Sequence, residues 1–185
     1  MKNIALVTGA SSGIGEAICR VLVAEQYQVV GAARNGEKLQ AMQQQLGGLF
    51  HPHPLDVNNA ESVANLITDL PESLRDIDVL VNNAGHDIGG RRRFEQGTAD
   101  DWCDIIETNV QAVIRVTHAV IHGMLERRRG HVVNLGSIAG LKPYATGSAY
   151  VTSKYAVHGL SETLRLDYAG QGIRITEIMP GLVRT

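Results

Sequence analysis

"TGASSGIG", residues 8–15, stands between a short apolar run, "NIALVT" (3–8), and a longer segment, "IGEAICRVLVAEQ" (14–26). The apolar run ends at a glycine and reads as a buried strand; the longer segment repeats apolar residues at helical spacing. Gly9, Gly13 and Gly15 allow a tight turn, the close approach of a pyrophosphate, and close packing of helix on strand. The start of the helix adds free N–H groups and a positive dipole end. An ordinary glycine-rich strand–helix turn is the competing reading. Position argues against it, because this turn opens a series of strand–helix units.

The same alternation runs outward along the chain. "QVVGAAR" (28–34) reads as a second strand, and "EKLQAMQQQL" (37–46) as a helix stopped by Gly47 and Gly48. "GLFHPHPLD" (48–56) is a third strand, weakened toward its end by Pro52 and Pro54, and "AESVANLITDL" (60–70) is helical. "DVLVNNAG" (78–85) is the fourth strand with its turn. After a polar loop at 86–97, Thr98 with Asp101 three residues later forms a helix N-cap signature. Helical pattern then runs to about Arg128, in one or two pieces. "GHVVNLGS" (130–137) is strand five, a helix covers about Ala149 to Ala169, and "IRITEIMP" (173–180) is strand six. Six strands alternating with helices predict a single α/β domain with a Rossmann-like, doubly wound parallel sheet. Function then belongs at the carboxyl ends of the strands. There the loops at 9–15, 34–36, 82–97, 137–147 and 180–185 converge.

Composition narrows the partners. The 185 residues are 44% hydrophobic and 19% charged, with a net charge of −2. Nothing in that balance drives binding to nucleic acid or to a membrane. No apolar stretch reaches the ~18 residues of a membrane span. The first apolar run is too short for a signal peptide. Cys19 and Cys103 lie far apart, give no disulfide or metal framework, and read as reduced thiols. The expected compartment is the cytoplasm.

The end of strand two should meet an adenosine ribose. An NAD site calls for an acidic residue there. This chain has Ala33 at that place, followed by Arg34. A carboxylate would repel a 2′-phosphate, whereas an arginine pairs with it. Ser11 and Ser12 add hydroxyl donors. NADP is therefore expected over NAD; the competing reading makes Arg34 a solvated loop residue. Glu37 falls inside the next helix. Asp56, after strand three, reads either as an acceptor for the adenine amine or as a turn or helix cap.

"TGASSGIG", "NNAG" (82–85), "TNV" (108–110), "GS" (136–137), "YVTSK" (150–154) and "PGLVRT" (180–185) stand in the order and spacing of the short-chain dehydrogenase/reductases. The chain resembles that family over its whole length. Each motif alone is modest, and the ordered set is specific. The resemblance implies hydride transfer between the nicotinamide of NADP(H) and a hydroxyl or carbonyl group of a small-molecule substrate.

The chemistry of the residues agrees. Tyr150 can pass a proton to or from the substrate oxygen, and a nearby cation favours the phenolate. Lys154 lies one helical turn away on the same face. Ser137 can donate to the substrate oxygen and polarise it. The resemblance further implies that Lys154 binds the nicotinamide ribose. It also implies that Asn109 holds a water joining Lys154 to solvent, which completes a catalytic set of Asn109, Ser137, Tyr150 and Lys154.

The cofactor contacts implied by the resemblance follow the motifs. Gly9, Ser11, Ser12, Gly13, Ile14 and Gly15 form the phosphate turn. Arg34, Asp56 and Val57 flank the adenosine. Asn83, Ala84 and Gly85 let the backbone approach the cofactor. Pro180, Gly181, Val183 and Thr185 hold the carboxamide edge, joined by Tyr150 and Lys154.

Within the family, "ARN", "DVLVNNAG", "GSIAGLKPYATGSAY" and "PGLV" are similar to the bacterial NADP-dependent 3-hydroxy acid dehydrogenases that oxidise serine and allo-threonine. A 3-oxoacyl-carrier-protein reductase is the alternative enzyme. A non-catalytic NADP-sensing regulator is the alternative of another class, disfavoured because a sensor needs no proton donor. Family members usually continue past "PGLVRT" into a substrate-covering segment and a further strand. The chain is therefore expected to be incomplete at its C-terminus relative to the family. The resemblance also implies a homodimer or homotetramer packed through helices near 105–125 and 149–169.

Other features draw weaker readings. Arg91, Arg92 and Arg93 form either a solvated loop or an attractor for an anionic substrate. Arg127, Arg128 and Arg129 complement a helix C-terminus, or dock an acyl-carrier partner. His118 and His122 share a helix face, but no third ligand accompanies them, so no metal is expected. Trp102 reads as a packing residue.

Overall fold

A computed structural model describes residues 3–88 and 92–183. Arg91 and Thr185, both singled out above, lie outside the described residues. The strands are β1 (Ile4–Thr8), β2 (Gln28–Ala33), β3 (Phe50–Pro54), β4 (Val79–Asn82), β5 (Gly130–Leu135) and β6 (Ile173–Ile178). They form one sheet in the order β3-β2-β1-β4-β5-β6, with every pairing parallel. The order reverses between β1 and β4, the switch point at which such sheets open a crevice. All five residues of β1 are buried, as a central parallel strand covered on both faces requires.

Two apolar layers hold the helices to the sheet. On one face Val7, Val29 and Phe50 meet Cys19 of α1 (Gly13–Ala24) and Leu39 and Met42 of α2 (Gly36–Leu46). On the other, Leu6, Val30, Leu80, Val132 and Ile175 meet Val63 of α3 (Ala60–Ala64) and Val116 and Met124 of α5 (Ala112–Glu126). The long helix α6 (Ser148–Asp167) joins this second face through Leu164, and α4 (Ala99–Ile106) packs against it. Fully burying each large apolar side chain contributes roughly 1.5–3 kcal/mol. Burial pushes the Cys19 thiol up to about 12, so it stays protonated. Among the described residues, no helix is long and apolar enough to cross a membrane.

One element, helix α3, differs from the sequence expectation, and two others gain detail. Strand β3 runs through both Pro52 and Pro54. It pairs only with β2, so a missing N–H can fall on the open edge. Helix α3 ends at Ala64 rather than near residue 70. The Asn65 carbonyl accepts from both Asp69 N and the Thr68 hydroxyl, and Arg75 donates to the Thr68 and Leu70 carbonyls, which a continuing helix would have used. The helix expected to reach Arg128 is broken by a π turn, Glu107–Gln111, between α4 and α5. The Thr98 cap is present, with Asp101 N donating to its hydroxyl and Thr98 N donating to the Asp101 carboxylate.

A buried polar seam ties the carboxyl ends of the central strands. The Thr8 hydroxyl donates to the Val81 carbonyl and accepts from the backbone N–H groups of Asn83 and Ala84. Asn82 Nδ2 donates to Thr117 Oγ1 and Asn134 Oδ1, both at 2.9 Å. Asn134 Nδ2 donates in turn to Ser161 Oγ on α6. Such groups are stable when buried only if all are paired, so the seam fixes the helices and strands in one arrangement.

Candidate active site

The loops at the carboxyl ends enclose a cleft of about 1030 Å³, large enough for a sizeable ligand. The turn at Gly9 and Ser11–Ile14 lines one end, with Arg34, Asp56 and Val57 beside it. Asn83, Ala84 and Gly85 form part of the floor. Ser137, Tyr150, Lys154, Pro180, Gly181 and Val183 line the other end. Two residues expected at the site lie behind its wall. A Cβ on Gly15 would fall 2.3 Å from the Gly9 carbonyl oxygen and 2.5 Å from Asn83 Nδ2, so Gly15 serves helix–strand packing rather than the cleft surface. Asn109 is buried, 1% exposed, and does not line the cleft.

At the glycine-turn end, Gly9 and Gly13 have φ of +66° and +55°, the left-handed region that glycine enters without strain. Ser12 is the N-cap of α1 in an extended conformation, and its side chain makes no capping bond. The first N–H groups of the helix are thus left for a ligand, a ready anion site. Arg34 is exposed at the end of β2, and no side chain among the described residues pairs with it. Beside it Asn35 caps α2 by accepting from Lys38 N. Asp56 Oδ1 accepts from Asn58 N at 3.0 Å, so Asp56 is a turn cap. This end could hold a pyrophosphate together with a further phosphate at Arg34.

At the other end, Ser137 caps a short 3-10 turn, Ile138–Gly140, and its Oγ accepts from Ala139 N at 3.1 Å. Its O–H is left to donate. Tyr150 and Lys154 sit one turn apart on α6, with Nζ 5.6 Å from the centre of the Tyr150 ring. Nζ also donates to the Leu135 carbonyl at 2.8 Å. Lys154 is only 8% exposed. Its burial pushes the ammonium down to about 8, against an opposing pull from Glu177.

Asn109 acts within the wall. Its Oδ1 accepts from His86 N at 2.8 Å, and its Nδ2 donates to the His86 carbonyl and to Ser153 Oγ. Ser153 Oγ donates to the Tyr150 carbonyl at 2.7 Å. The π turn therefore bridges the loop after β4 to the turn of α6 that carries Tyr150. A π turn inside an α-helix is itself a frequent mark of a functional site.

Several side chains at the cleft were not singled out from sequence. His86 and Asp104 both line it and form a pair at 3.2 Å. Thr108 accepts from Asn58 Nδ2 at 2.9 Å, and Thr108 and Tyr144 also line the cleft. Glu177 lies behind Gly136 and is bound to His158 Nδ1 at 2.7 Å. One signal for Glu177 was legible: it follows Ile173 and Ile175 at strand spacing on a buried face.

The remaining features stand away from the cleft. Arg92 and Arg93 are exposed and do not line it. Arg127 and Arg129 pair with Asp76 and Asp78 in the turn before β4, joining the end of α5 to the sheet. Trp102 stacks on Phe94, with ring centres 5.9 Å apart. His118 and His122 meet edge to face at 4.8 Å, and among the described residues no three His, Cys, Asp or Glu side chains cluster as metal ligands.

Comparison with known proteins places this geometry. Residues 3–185 match the model of the short chain dehydrogenase family. The chain is 43% identical over 180 residues to the NADP-dependent 3-hydroxy acid dehydrogenase YdfG of Salmonella typhimurium, covering 97% of this chain and 72% of that one. It is 37% identical over 185 residues to the serine 3-dehydrogenase of Rhizobium radiobacter, covering 100% and 74%. The closed form of a serine dehydrogenase complexed with NADP+ superposes with a TM-score of 0.95 at 39% identity, over 98% of this chain and 73% of that one. A serine dehydrogenase structure from Escherichia coli gives a TM-score of 0.94 at 39% identity, over 97% and 83%. With its parallel six-stranded sheet, its glycine turn at the switch point and a match across nearly every residue, this chain belongs to the short chain dehydrogenase family of oxidoreductases.

Proposed function

We propose that this protein is an NADP(H)-dependent oxidoreductase that interconverts a secondary alcohol and its carbonyl, with 3-hydroxy acids as the substrate class. One observation carries the reading: Ser137, Tyr150 and Lys154 line the same cleft as the uncapped start of α1 and the unpaired Arg34. The names of the 3-hydroxy acid and serine dehydrogenases that it resembles supply the substrate class.

The residues suit the cofactor on their own geometry. The bare N-terminus of α1 and the left-handed Gly9 and Gly13 suit a pyrophosphate. Arg34, with Ala33 where an acid would stand, suits a 2′-phosphate. Bound there, NADP supplies the nicotinamide that accepts or returns the hydride. Ser137 Oγ, already anchored by Ala139 N, donates its hydrogen to the substrate oxygen and fixes its position. Tyr150 takes the hydroxyl proton at Oη in oxidation and returns it in reduction. The Lys154 ammonium, held by the Leu135 carbonyl, lies 5.6 Å from the centre of the tyrosine ring, where its charge offsets negative charge developing as the proton moves. Asn109 positions α6 through Ser153.

We further assign the protein to the cytoplasm and to a homodimer or homotetramer. Support for assembly comes from Ile114 and His118 on α5 and Tyr155 on α6, which are exposed on faces that the sheet does not cover.

The test is a panel of 3-hydroxy acids and simple secondary alcohols, incubated with NADP or NAD and followed by formation of reduced cofactor. Turnover of a 3-hydroxy acid with NADP is expected. Tight NADP binding without turnover of any alcohol would overturn the enzyme reading. Equal or better turnover with NAD would overturn the cofactor.

A further inference from the structure

A charged group lies just behind the cleft wall at Gly136. Glu177, on β6, has a side chain only 2% exposed. His158 Nδ1 binds its Oε2 at 2.7 Å, while its Oε1 is buried and has no hydrogen-bond partner among the described residues. An unpaired carboxylate oxygen at that depth is costly and calls for a compensating charge. We propose that Glu177, oriented by His158, is a positioning residue that keeps the Lys154 ammonium charged and in place beside Tyr150. The proposal rests on the reading of Lys154 given above.

Three observations converge on it. His158 lies one helical turn beyond Lys154 on α6, so the helix that carries the ammonium also clamps the carboxylate. Gly136 makes the room. A Cβ there would fall 2.1 Å from Glu177 Oε1, and Gly136 itself lines the cleft directly after Leu135, whose carbonyl accepts from Lys154 Nζ. Any other residue at 136 would push the carboxylate away. Finally, Lys154 Nζ spends one of its three hydrogens on Leu135, so its burial is only partly offset. Burial and Glu177 act on Lys154 in opposite directions, and Glu177 is the charge that acts on it.

Other charges on the elements packed against α6 are engaged elsewhere or exposed. Asp104 pairs with His86, Glu107 with Arg115, and the Arg174 guanidinium bonds His131, while Asp100, Asp101 and Cys103 face outward on α4. On α6 itself Arg165 pairs with Glu162. Among the described residues, Tyr150 and the His158–Glu177 pair are thus the titratable groups at the ammonium.

The chain has four lysines, which makes the ammonium directly observable. Carbon-13 labelling of lysine Cε, with Lys154→Arg to assign the signal, gives the Lys154 titration midpoint by NMR. In Glu177→Gln the midpoint should fall by about one pH unit or more, a tenfold weaker hold on the proton. Glu177→Asp, which keeps the charge, should restore at least half of that loss. If Glu177→Gln does not fold, His158→Gln, which keeps the carboxylate but removes its clamp, should shift the midpoint in the same direction. The alkaline limb of kcat against pH should move down with the NMR midpoint, while KM for NADP stays unchanged. An unchanged midpoint in a folded Glu177→Gln or His158→Gln protein overturns the proposal. Because the NMR arm needs no turnover, it reads even if the panel of alcohols shows none.

Discussion

The two ends of the cleft are built from different materials. Around β1 and α1 the inward groups are backbone N–H groups, shaped by Gly9 and Gly13, and the side chains contribute little beyond Arg34. Around β5 and α6 the inward groups are side chains, and each is held by another residue: Ser137 by Ala139, Lys154 by Leu135, and the Tyr150 turn by Ser153 and Asn109. A backbone site tolerates exchange of its neighbours but fails when a single Cβ is added. A side-chain site tolerates crowding better, and its performance depends on supports that never touch a ligand.

The sharpest way to break the first end is Gly15→Ala. Alanine gains up to about 1 kcal/mol in helix propensity. Its Cβ, however, would press on the Gly9 carbonyl, a backbone atom that cannot swing aside. Overpacking of this kind costs about 1–3 kcal/mol, so the net effect is a loss. A fall of several degrees in Tm is expected. NADP affinity should drop with it, while the pairing of Lys154 with Leu135 is untouched; calorimetry and cofactor titration check both.

A subtler change sharpens the same end. Arg34→Gln removes a charge from an exposed position with no side-chain partner among the described residues, so Tm should not move. A charge-assisted bond to phosphate contributes about 1.5–3 kcal/mol. NADP affinity relative to NAD should therefore fall roughly tenfold or more, as measured by titration with both cofactors.

The smallest expected effect concerns the second end. Lys154 loses its proton near pH 8 in the folded chain and near its ordinary 10.5 when unfolded. Between those values the unfolded chain holds more protons at this site, so stability should rise with pH across that window. Below pH about 8 the full cost of burying the charge is present. Urea unfolding at several pH values should show this slope in the wild type and a flatter one in Lys154→Met.

The same contrast explains what the sequence made legible. The glycine turn, the strand–helix alternation and the Tyr150–Lys154 spacing are local patterns, and the fold they predict is the one observed. The third strand was legible too, but the edge position that lets it carry Pro52 and Pro54 is recorded by no local pattern. The π turn at 107–111 leaves helical periodicity nearly intact on both sides, so the sequence shows helical pattern in one or two pieces without marking the turn. Helix α3 stops early, and Arg75, eleven residues beyond its end, takes the Thr68 and Leu70 carbonyls that follow it, a contact no local pattern records. At the site, Glu177 was not singled out: it stands as a charge on an apolar strand face, and its partner His158 comes from another element. The seam of Asn82, Thr117, Asn134 and Ser161 is likewise assembled from four elements.

The central claim is that Tyr150 moves the proton in an NADP-linked oxidation. Tyr150→Phe keeps the ring and removes only the hydroxyl. With a 3-hydroxy acid turned over by the wild type, NADPH formation should fall about a hundredfold to ten-thousandfold, the usual worth of a positioned acid or base. NADP affinity and Tm should stay near their wild-type values. Turnover within a few-fold of wild type in Tyr150→Phe would contradict the account.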